Sequence, residues 1–376
     1  MTRESNLRGR ISRVSIRGFR SLACVENLEV PQLAVLIGAN GSGKSNLIRF
    51  FEMLSFSLKG RNLQQFVLDR GGGDDQLFLG ARTTPRMEAE LTLETEQGTN
   101  EYRMALTHVS PDSLAFAEEA FRFSRHDRGG SSSWVDLPMP AQESGLPDAA
   151  ADNSQPAHRT ARTVLYLLRN CATFQFHDTS AKASLNMRWD ESETARMRSD
   201  GGNLAPILLH LSREQPRRYR LITRQIQRVL PVFGDFELEP TGGKVLLRWR
   251  AKNSDKTFGP HLTSDGSLRL FCMFTLLNLP DEMLPDVLMI DEPELGLHPH
   301  AIALTADMIK SLAVNRQVFI ATQSTLMIDA FELENILVAS LEGAATRLTP
   351  MDRDDYRRWL EDDYQPSDLW LKEPVG

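Results

Sequence analysis

Alternation opens the chain. In ISRVSIRGF from Ile11 and ACVENLEV from Ala23, apolar and polar residues exchange places at almost every second position, which predicts short strands with one buried face. LAVLI then runs apolar up to Ile37 and leads into a glycine-rich turn, so a third strand ends there. Behind the turn, SNLIRFFEMLSFSL carries apolar residues at helical spacing, placing the turn between a strand and a helix. Strand-like alternation returns in RMEAELTLET and EYRMALTHV.

From Ser124 to about Pro156 the pattern dissolves into Gly, Ser, Pro and Asp, the composition of a long mobile insertion. A helical ARTVLYLLRN and a strand candidate, ATFQFHDTS, follow. The stretch from Leu204 to Leu230 is helical, with Leu221, Ile222, Ile226 and Val229 forming a core-facing stripe. The last third alternates DVLMID, a helix from His300 to Leu312, QVFIAT, a short helix from Leu326, and NILVAS. Strand–helix alternation of this kind predicts parallel strands joined by right-handed crossovers, an α/β fold. One domain over residues 1–376 is expected: an N-terminal lobe (1–123), the insertion (124–160), a helical subdomain (161–235) and a closing α/β part (236–376).

Composition changes this picture little. The 376 residues are 41% hydrophobic and 25% charged, ordinary globular proportions, and long enough to bury a sizeable core. Cys24, Cys171 and Cys272 lie far apart, which argues against a disulfide framework or a zinc site. The polar MTRESNLRGR start has no apolar segment behind it, and no apolar run reaches the ~18 residues of a membrane span. A cytoplasmic protein without a membrane partner is expected. The net charge of −7 predicts no bulk grip on nucleic acid, so any such binding needs a local basic patch. Arg213, Arg217, Arg218, Arg220, Arg224 and Arg228 supply one candidate. They read either as the solvated face of a helix or as a DNA-contacting surface, the latter centred on Arg213, Arg217, Arg218 and Arg220.

Three motifs bear chemistry. GANGSGKS, Gly38 to Ser45, satisfies G-x-x-x-x-G-K-[ST] in its proper place between strand and helix. Gly41 and Gly43 let the backbone wrap phosphate closely, and the loop amides with the helix N-terminus supply positive potential. Lys44 would reach the β- and γ-phosphates of a nucleoside triphosphate, and Ser45 would ligate Mg²⁺. The whole run of Gly38, Asn40, Gly41, Ser42, Gly43, Lys44, Ser45 and Asn46 is the expected ATP cradle. VLMIDEPELGLHPH delivers Asp291 to the tip of a buried strand, where it can hold a Mg²⁺-bound water. Glu292 follows as a candidate general base. LTSDGSLRLF sets Ser264, Asp265 and Gly266 at the start of a helix. That turn reads either as a plain helix cap or as an anion site completing the ATP of a second subunit.

The ordered set GANGSGKSN, TSDGSLR, DEPELGLHP and ATQS resembles the ABC-type ATPase heads of the SMC/RecF/OLD group, and within it the compact predicted "AAA family" ATPases. The resemblance runs from IRGFRSL to the C-terminal SDLWLKEPVG. It implies a P-loop NTPase fold, an ABC-type head with a mixed sheet, an N-terminal antiparallel β region and a helical subdomain. It also implies a homodimer that sandwiches ATP and Mg²⁺ between heads, with Ser264 and Gly266 touching the γ-phosphate held by the other protomer. Leu295 to His298 would be the D-loop at that interface.

Two positions depart from the pattern. Thr322-Gln323-Ser324 stands where many relatives carry a switch histidine. Gln323 can hydrogen-bond a phosphate or water but cannot shuttle charge, which favours slow turnover. Thr263 replaces a frequent Leu. Gln175 is the candidate Q-loop residue and third metal contact, or else a simple strand residue, and His177 is expected to be structural. About 220 residues between Ser45 and Ser264 are too few for long coiled-coil arms, and about 40 after Asn335 too few for a TOPRIM nuclease. The expected function is a slow ATPase in DNA repair or antiphage defence, with a separately encoded nuclease or other effector. The alternatives are an ATP-gated switch on a protein effector that never touches DNA, and the ATPase subunit of a transporter.

Overall fold

A computed structural model describes residues 9–60, 62–125, 132–139, 141–152, 154, 157–351 and 365–372. The strands through the first half are β1 (Gly9–Phe19), β2 (Leu22–Glu29), β3 (Leu33–Ile37), β4 (Arg86–Thr95), β5 (Gly98–Val109), β6 (Ser113–Arg125), β7 (Val135–Asp136), β8 (Cys171–Phe174) and β9 (Trp189–Asp190). Then come β10 (Phe233–Phe236), β11 (Lys244–Val245), β12 (Trp249–Ala251), β13 (Thr257–Phe258), β14 (Val287–Asp291), β15 (Gln317–Thr322), β16 (Ile336–Glu342) and β17 (Ala345–Pro350). The helices are α1 (Lys44–Gly60), α2 (Leu63–Asp69), α3 (Leu146–Ala151), α4 (His158–Arg169), α5 (Leu204–Glu214), α6 (Pro216–Val229), α7 (Asp265–Leu276), α8 (Pro299–Ala313), α9 (Thr325–Ile328) and α10 (Pro366–Lys372).

Two six-stranded sheets organise the chain. The order β2-β1-β4-β5-β6-β7 is antiparallel throughout. The order β17-β16-β3-β15-β14-β8 is parallel except for β17, a mixed sheet as expected. The unbroken apolar run of β3 follows from burial on both faces. Leu33, Val35 and Ile37 point into one core, and Ala34 and Leu36 into the other. One core lies between the antiparallel sheet, α1, α4 and the mixed sheet; there Phe50 meets Phe19 and Phe51 meets Phe319, at 5.6 and 5.9 Å. The other core joins the opposite face of the mixed sheet to α5 through α9.

Gln317 fastens the two sheets to each other. The β1–β4 register slips between Ile11 and Arg13. There Ile11 N donates to Gln317 Oε1 (2.8 Å), and Gln317 Nε2 donates to the carbonyls of Ile11 (2.7 Å) and Pro31 (3.1 Å). A buried glutamine thus replaces the ladder bonds that the slip removes.

Three expectations need correction. The described part of the 124–160 insertion is docked rather than a loose spacer. Leu146, Ala149 and Ala150 are buried, and Ser144 Oγ and Gly145 N bond to Glu119. Residues 126–131, 140, 153 and 155–156 of that insertion lie outside the described residues. The 161–235 stretch is divided between the two cores, α4 entering one while α5 and α6 enter the other. The strand expected over ATFQFHDTS ends at Phe174, and Gln175 N turns to Ser199 O instead. Among the described residues no helix is long and apolar enough to cross a membrane.

Candidate active site

The phosphate loop is built at the end of β3 and fixed from outside by β17. Thr346 Oγ1 donates to Ser42 O (2.8 Å) and sits 2.6 Å from Ser21 Oγ, which in turn accepts from Asn46 Nδ2 (2.6 Å). One orientation satisfies all three contacts: amide to hydroxyl to hydroxyl to carbonyl. Gly43, at φ +91°, is the position this clamp demands, because a Cβ there would lie 1.9 Å from Thr346 Oγ1. Asn46, expected in the ATP cradle, spends its amide on this scaffold.

Inside the loop, the Cβ position of Gly41 faces open space. Lys44 is buried and its Nζ donates to Gly38 O (2.7 Å) and Ala39 O (2.9 Å), which holds the ammonium at the mouth. Burial lowers its pKa, while Glu292, Asp291 and Glu294 draw it back up. The Ser42 hydroxyl is buried in the loop and has no hydrogen-bond partner among the described residues.

Three elements converge beside it. Ser45 Oγ, in the first turn of α1, donates to Asp291 Oδ1 at the tip of β14 (3.2 Å). Gln175 Nε2, one residue beyond β8, reaches Asp291 Oδ2 at 3.4 Å and His177 Nδ1 at 3.0 Å. The Q-loop candidate therefore meets the acid that the strand pattern singled out. The Ser45 hydroxyl and the Asp291 carboxylate, with the Gln175 amide turning its oxygen to the ion and phosphate oxygens and waters completing six positions, would form a donor set that suits Mg²⁺. Among the described residues no group of three or more His, Cys, Asp or Glu could hold a metal by itself.

Glu292 sits next along the chain in a left-handed backbone, φ +50°, with its N–H on Ala321 O (2.8 Å). A non-glycine residue in that region is strained and is held there by its surroundings. Its Oε2 lies 3.5 Å from His177 Nε2. His177, expected to be structural, thus stands directly against the candidate base. Glu294 went unread in the sequence. Its Oε1 accepts from Thr322 Oγ1 (2.6 Å) and Gln323 N (3.3 Å), while Oε2 is buried with no partner among the described residues. Burial, helped by the charge of Glu292, pushes this carboxyl above its ordinary pKa against those hydrogen bonds. Gln323 is exposed, so Glu294 holds its backbone and leaves its side chain free to turn.

Ser264 caps α7, its Oγ accepting from Ser267 N at 3.2 Å. Thr263 has a reason of its own: its hydroxyl accepts from Trp249 Nε1 (2.9 Å) and donates to Gly259 O (2.9 Å), tying the turn to the aromatic cluster of Phe233, Phe236, Phe258 and Phe271. Gly266 packs on the turn that follows Glu294, where an added Cβ would come within 2.5 Å of Gly296 O. No hydrogen bond among the described residues links Ser264 or Gly266 to Lys44, Ser45, Asp291 or Glu292. The link is indirect: Arg269, on α7, donates to Phe176 O (3.2 Å) and His177 O (2.9 Å).

The family model described as "AAA domain, putative AbiEii toxin, Type IV TA system" matches residues 33–329, from β3 through the Gln323 loop to the end of α9. The chain belongs to that family. No curated protein matches its sequence. Among solved structures, this AAA-family chain is similar to two Smc heads. One is "the SmcHead bound to the C-winged helix domain of ScpA", at 14% identity and TM-score 0.51, over 93% of this chain and 99% of that one. The other is the Smc head with an extended coiled coil bound to the C-terminal domain of ScpA from Pyrococcus furiosus, at 15% identity and TM-score 0.53, over 94% and 99%. The fold is that of an SMC-like P-loop ATPase head.

The AAA-family head carries its arginines on α6. Arg217, Arg220, Arg224 and Arg228 recur about one turn apart on one exposed face, opposite buried Ile222 and Ile226. None of these four takes part in an ion pair among the described residues. Of the others expected there, Arg218 points away from that stripe by helical position, and Arg213 on α5 pairs with Glu191 at 3.3 Å.

Proposed function

We propose that this chain is a slow, Mg²⁺-dependent ATPase whose heads close face to face on ATP. The observation that carries the reading is the convergence of Ser45, Asp291 and Gln175 beside Lys44, with Glu292 and His177 adjoining. Lys44 and the loop amides bind and orient the triphosphate, and Ser45, Asp291 and Gln175 hold the ion. Mg²⁺ supplies neutralising charge on the phosphate oxygens. The Glu292 carboxylate takes a proton from a water as that water's oxygen bonds to the γ-phosphorus and the bond to the β-phosphate oxygen breaks, leaving ADP and phosphate. His177 braces that carboxylate, and Gln323 can orient the water. Ser264 and Gly266, remote from their own chain's loop in bonding, complete the site on a second copy.

The output we assign is DNA-associated work, in repair or antiphage defence, with a separately encoded nuclease or effector. The arginine stripe on α6, without ion pairs among the described residues, supports it, and the toxin–antitoxin description of the family is in keeping with a defence role. The test is Glu292→Gln. Turnover should fall by roughly a hundredfold or more while ATP binding persists. The variant should accumulate as an ATP-dependent dimer in size-exclusion chromatography coupled to light scattering, and adding Ser264→Arg should abolish that dimer. Wild-type turnover by Glu292→Gln would remove Glu292 as the base.

A further inference from the structure

A cavity of about 600 Å³ lies along the C-terminal half of α1, against β8, an edge strand of the mixed sheet. Its size falls in the range of small-molecule sites. One wall is apolar: Phe56, 39% exposed on the rim, with Met197 and Met283. The polar side is cationic. Lys59 from the end of α1, Arg169 from the end of α4 and Arg196 from the covering loop all line it, and none takes part in an ion pair among the described residues. Arg169 Nε donates to Leu58 O (2.6 Å), which fixes the guanidinium in place. Glu52, the sole lining carboxylate, is engaged elsewhere by Arg70 at 2.6 Å.

Of these cations, Lys59 and Arg196 repel each other, and Arg169 lines the same cavity. Desolvation by the cavity wall lowers the pKa of Lys59 and neighbouring Arg196 lowers it further, although the Lys59 side chain is exposed in part at the rim. Like the α6 stripe, these cations lack ion-pair partners among the described residues, but here they converge on a cavity with an apolar wall. An anion relieves the repulsion, and the apolar wall accommodates a flat or greasy body attached to it.

We propose that this cavity is a second ligand site, for a small organic phosphate: a phosphoryl group held by Lys59, Arg169 and Arg196, and an aromatic or nucleobase body against Phe56, Met197 and Met283. Its floor, β8, leads directly into Gln175, whose N–H is held by Ser199 O on the covering loop. A ligand here therefore reaches Asp291 through one residue. That regulatory consequence rests on the ATPase reading above, whereas the binding itself does not.

The experiment is titration calorimetry of the full chain with phenyl phosphate, AMP and inorganic phosphate. Lys44→Ala serves to disable the phosphate loop, and Lys59→Ala with Arg196→Ala to disable the cavity. Phenyl phosphate should bind the Lys44→Ala protein as it binds wild type, and about tenfold or more weaker when Lys59 and Arg196 are both replaced. Thermal melting of that double variant, both side chains being exposed in part, checks that the fold is intact. An oligonucleotide with a 5′-phosphate that displaces phenyl phosphate identifies a strand end as the source; failure to displace it identifies a free metabolite. Binding lost in Lys44→Ala and kept in the double variant, no binding by any probe, or equal affinity for inorganic phosphate would each overturn the proposal.

Discussion

At the scale of single residues, the site is a meeting of side chains whose chemistry was legible and others whose role comes only from what lies above them. Ser45 and Asp291 stand 246 positions apart, yet each motif names its end of the contact. Glu294 shows the opposite case. An acid two positions after Glu292 reads as loop decoration until β15 is seen to place Thr322 and Gln323 over it. Its titration gives a test with a definite sign. A carboxyl raised by folding contributes stability that is fully present below the ordinary value of 4.5 and is lost as pH rises through the folded value. Glu294→Gln cannot ionise and keeps that contribution. The variant should match wild type in urea midpoint near pH 4.5 and exceed it increasingly toward pH 8, as far as the retained hydrogen bond from Thr322 allows. A difference independent of pH would mean that Glu294 is charged and at ease where it sits.

At the scale of elements, pattern reading succeeded where burial is one- or two-sided and failed where a polar residue turns inward. β6 eluded it because SLAFAEEAFRF places Glu119 on the buried face. There Tyr102 OH donates to it at 2.6 Å, and the β5–β6 register slips between Ala105 and Leu106. The small sheet of β10, β12 and β13 is too short to show a period. Two joints between elements can be measured. Gln317→Ala strands Ile11 N–H and C=O in the interior and should cost about 2–3 kcal/mol in chemical denaturation, with turnover per folded molecule unchanged. Arg269→Ala should act the other way. It frees the Phe176 and His177 carbonyls, loosening His177 against Glu292, so kcat should drop about tenfold with little change in melting temperature. Arg269→Lys should recover only part, since a point charge does not span two carbonyls as a guanidinium fork does. Wild-type kcat in Arg269→Ala would detach α7 from the chemistry.

At the scale of the whole molecule, charge is distributed against its average. A chain of net −7 repels DNA at a distance, so any contact with it depends on a local array and on its geometry. Arg217, Arg220, Arg224 and Arg228 span about 16 Å at 1.5 Å per residue, one cation per turn of α6. That pitch is close to the distance between successive phosphates along a strand. Each phosphate neutralised releases counterions, so affinity for duplex should fall with salt at a log–log slope of about −0.9 per contact. Replacing the four stripe arginines by Ala should therefore flatten the slope by about 3 to 4 and weaken binding similarly on every sequence. Arg213→Ala, already paired with Glu191, should change the slope little, and Arg218→Ala less than any stripe position. Fluorescence anisotropy with a short duplex at several salt concentrations, with ATP and Glu292→Gln to hold the dimer, measures all of these. If the closed dimer binds no duplex, or the stripe variant keeps its full slope, the arginines are a solvated face and the closing heads act on a protein effector instead.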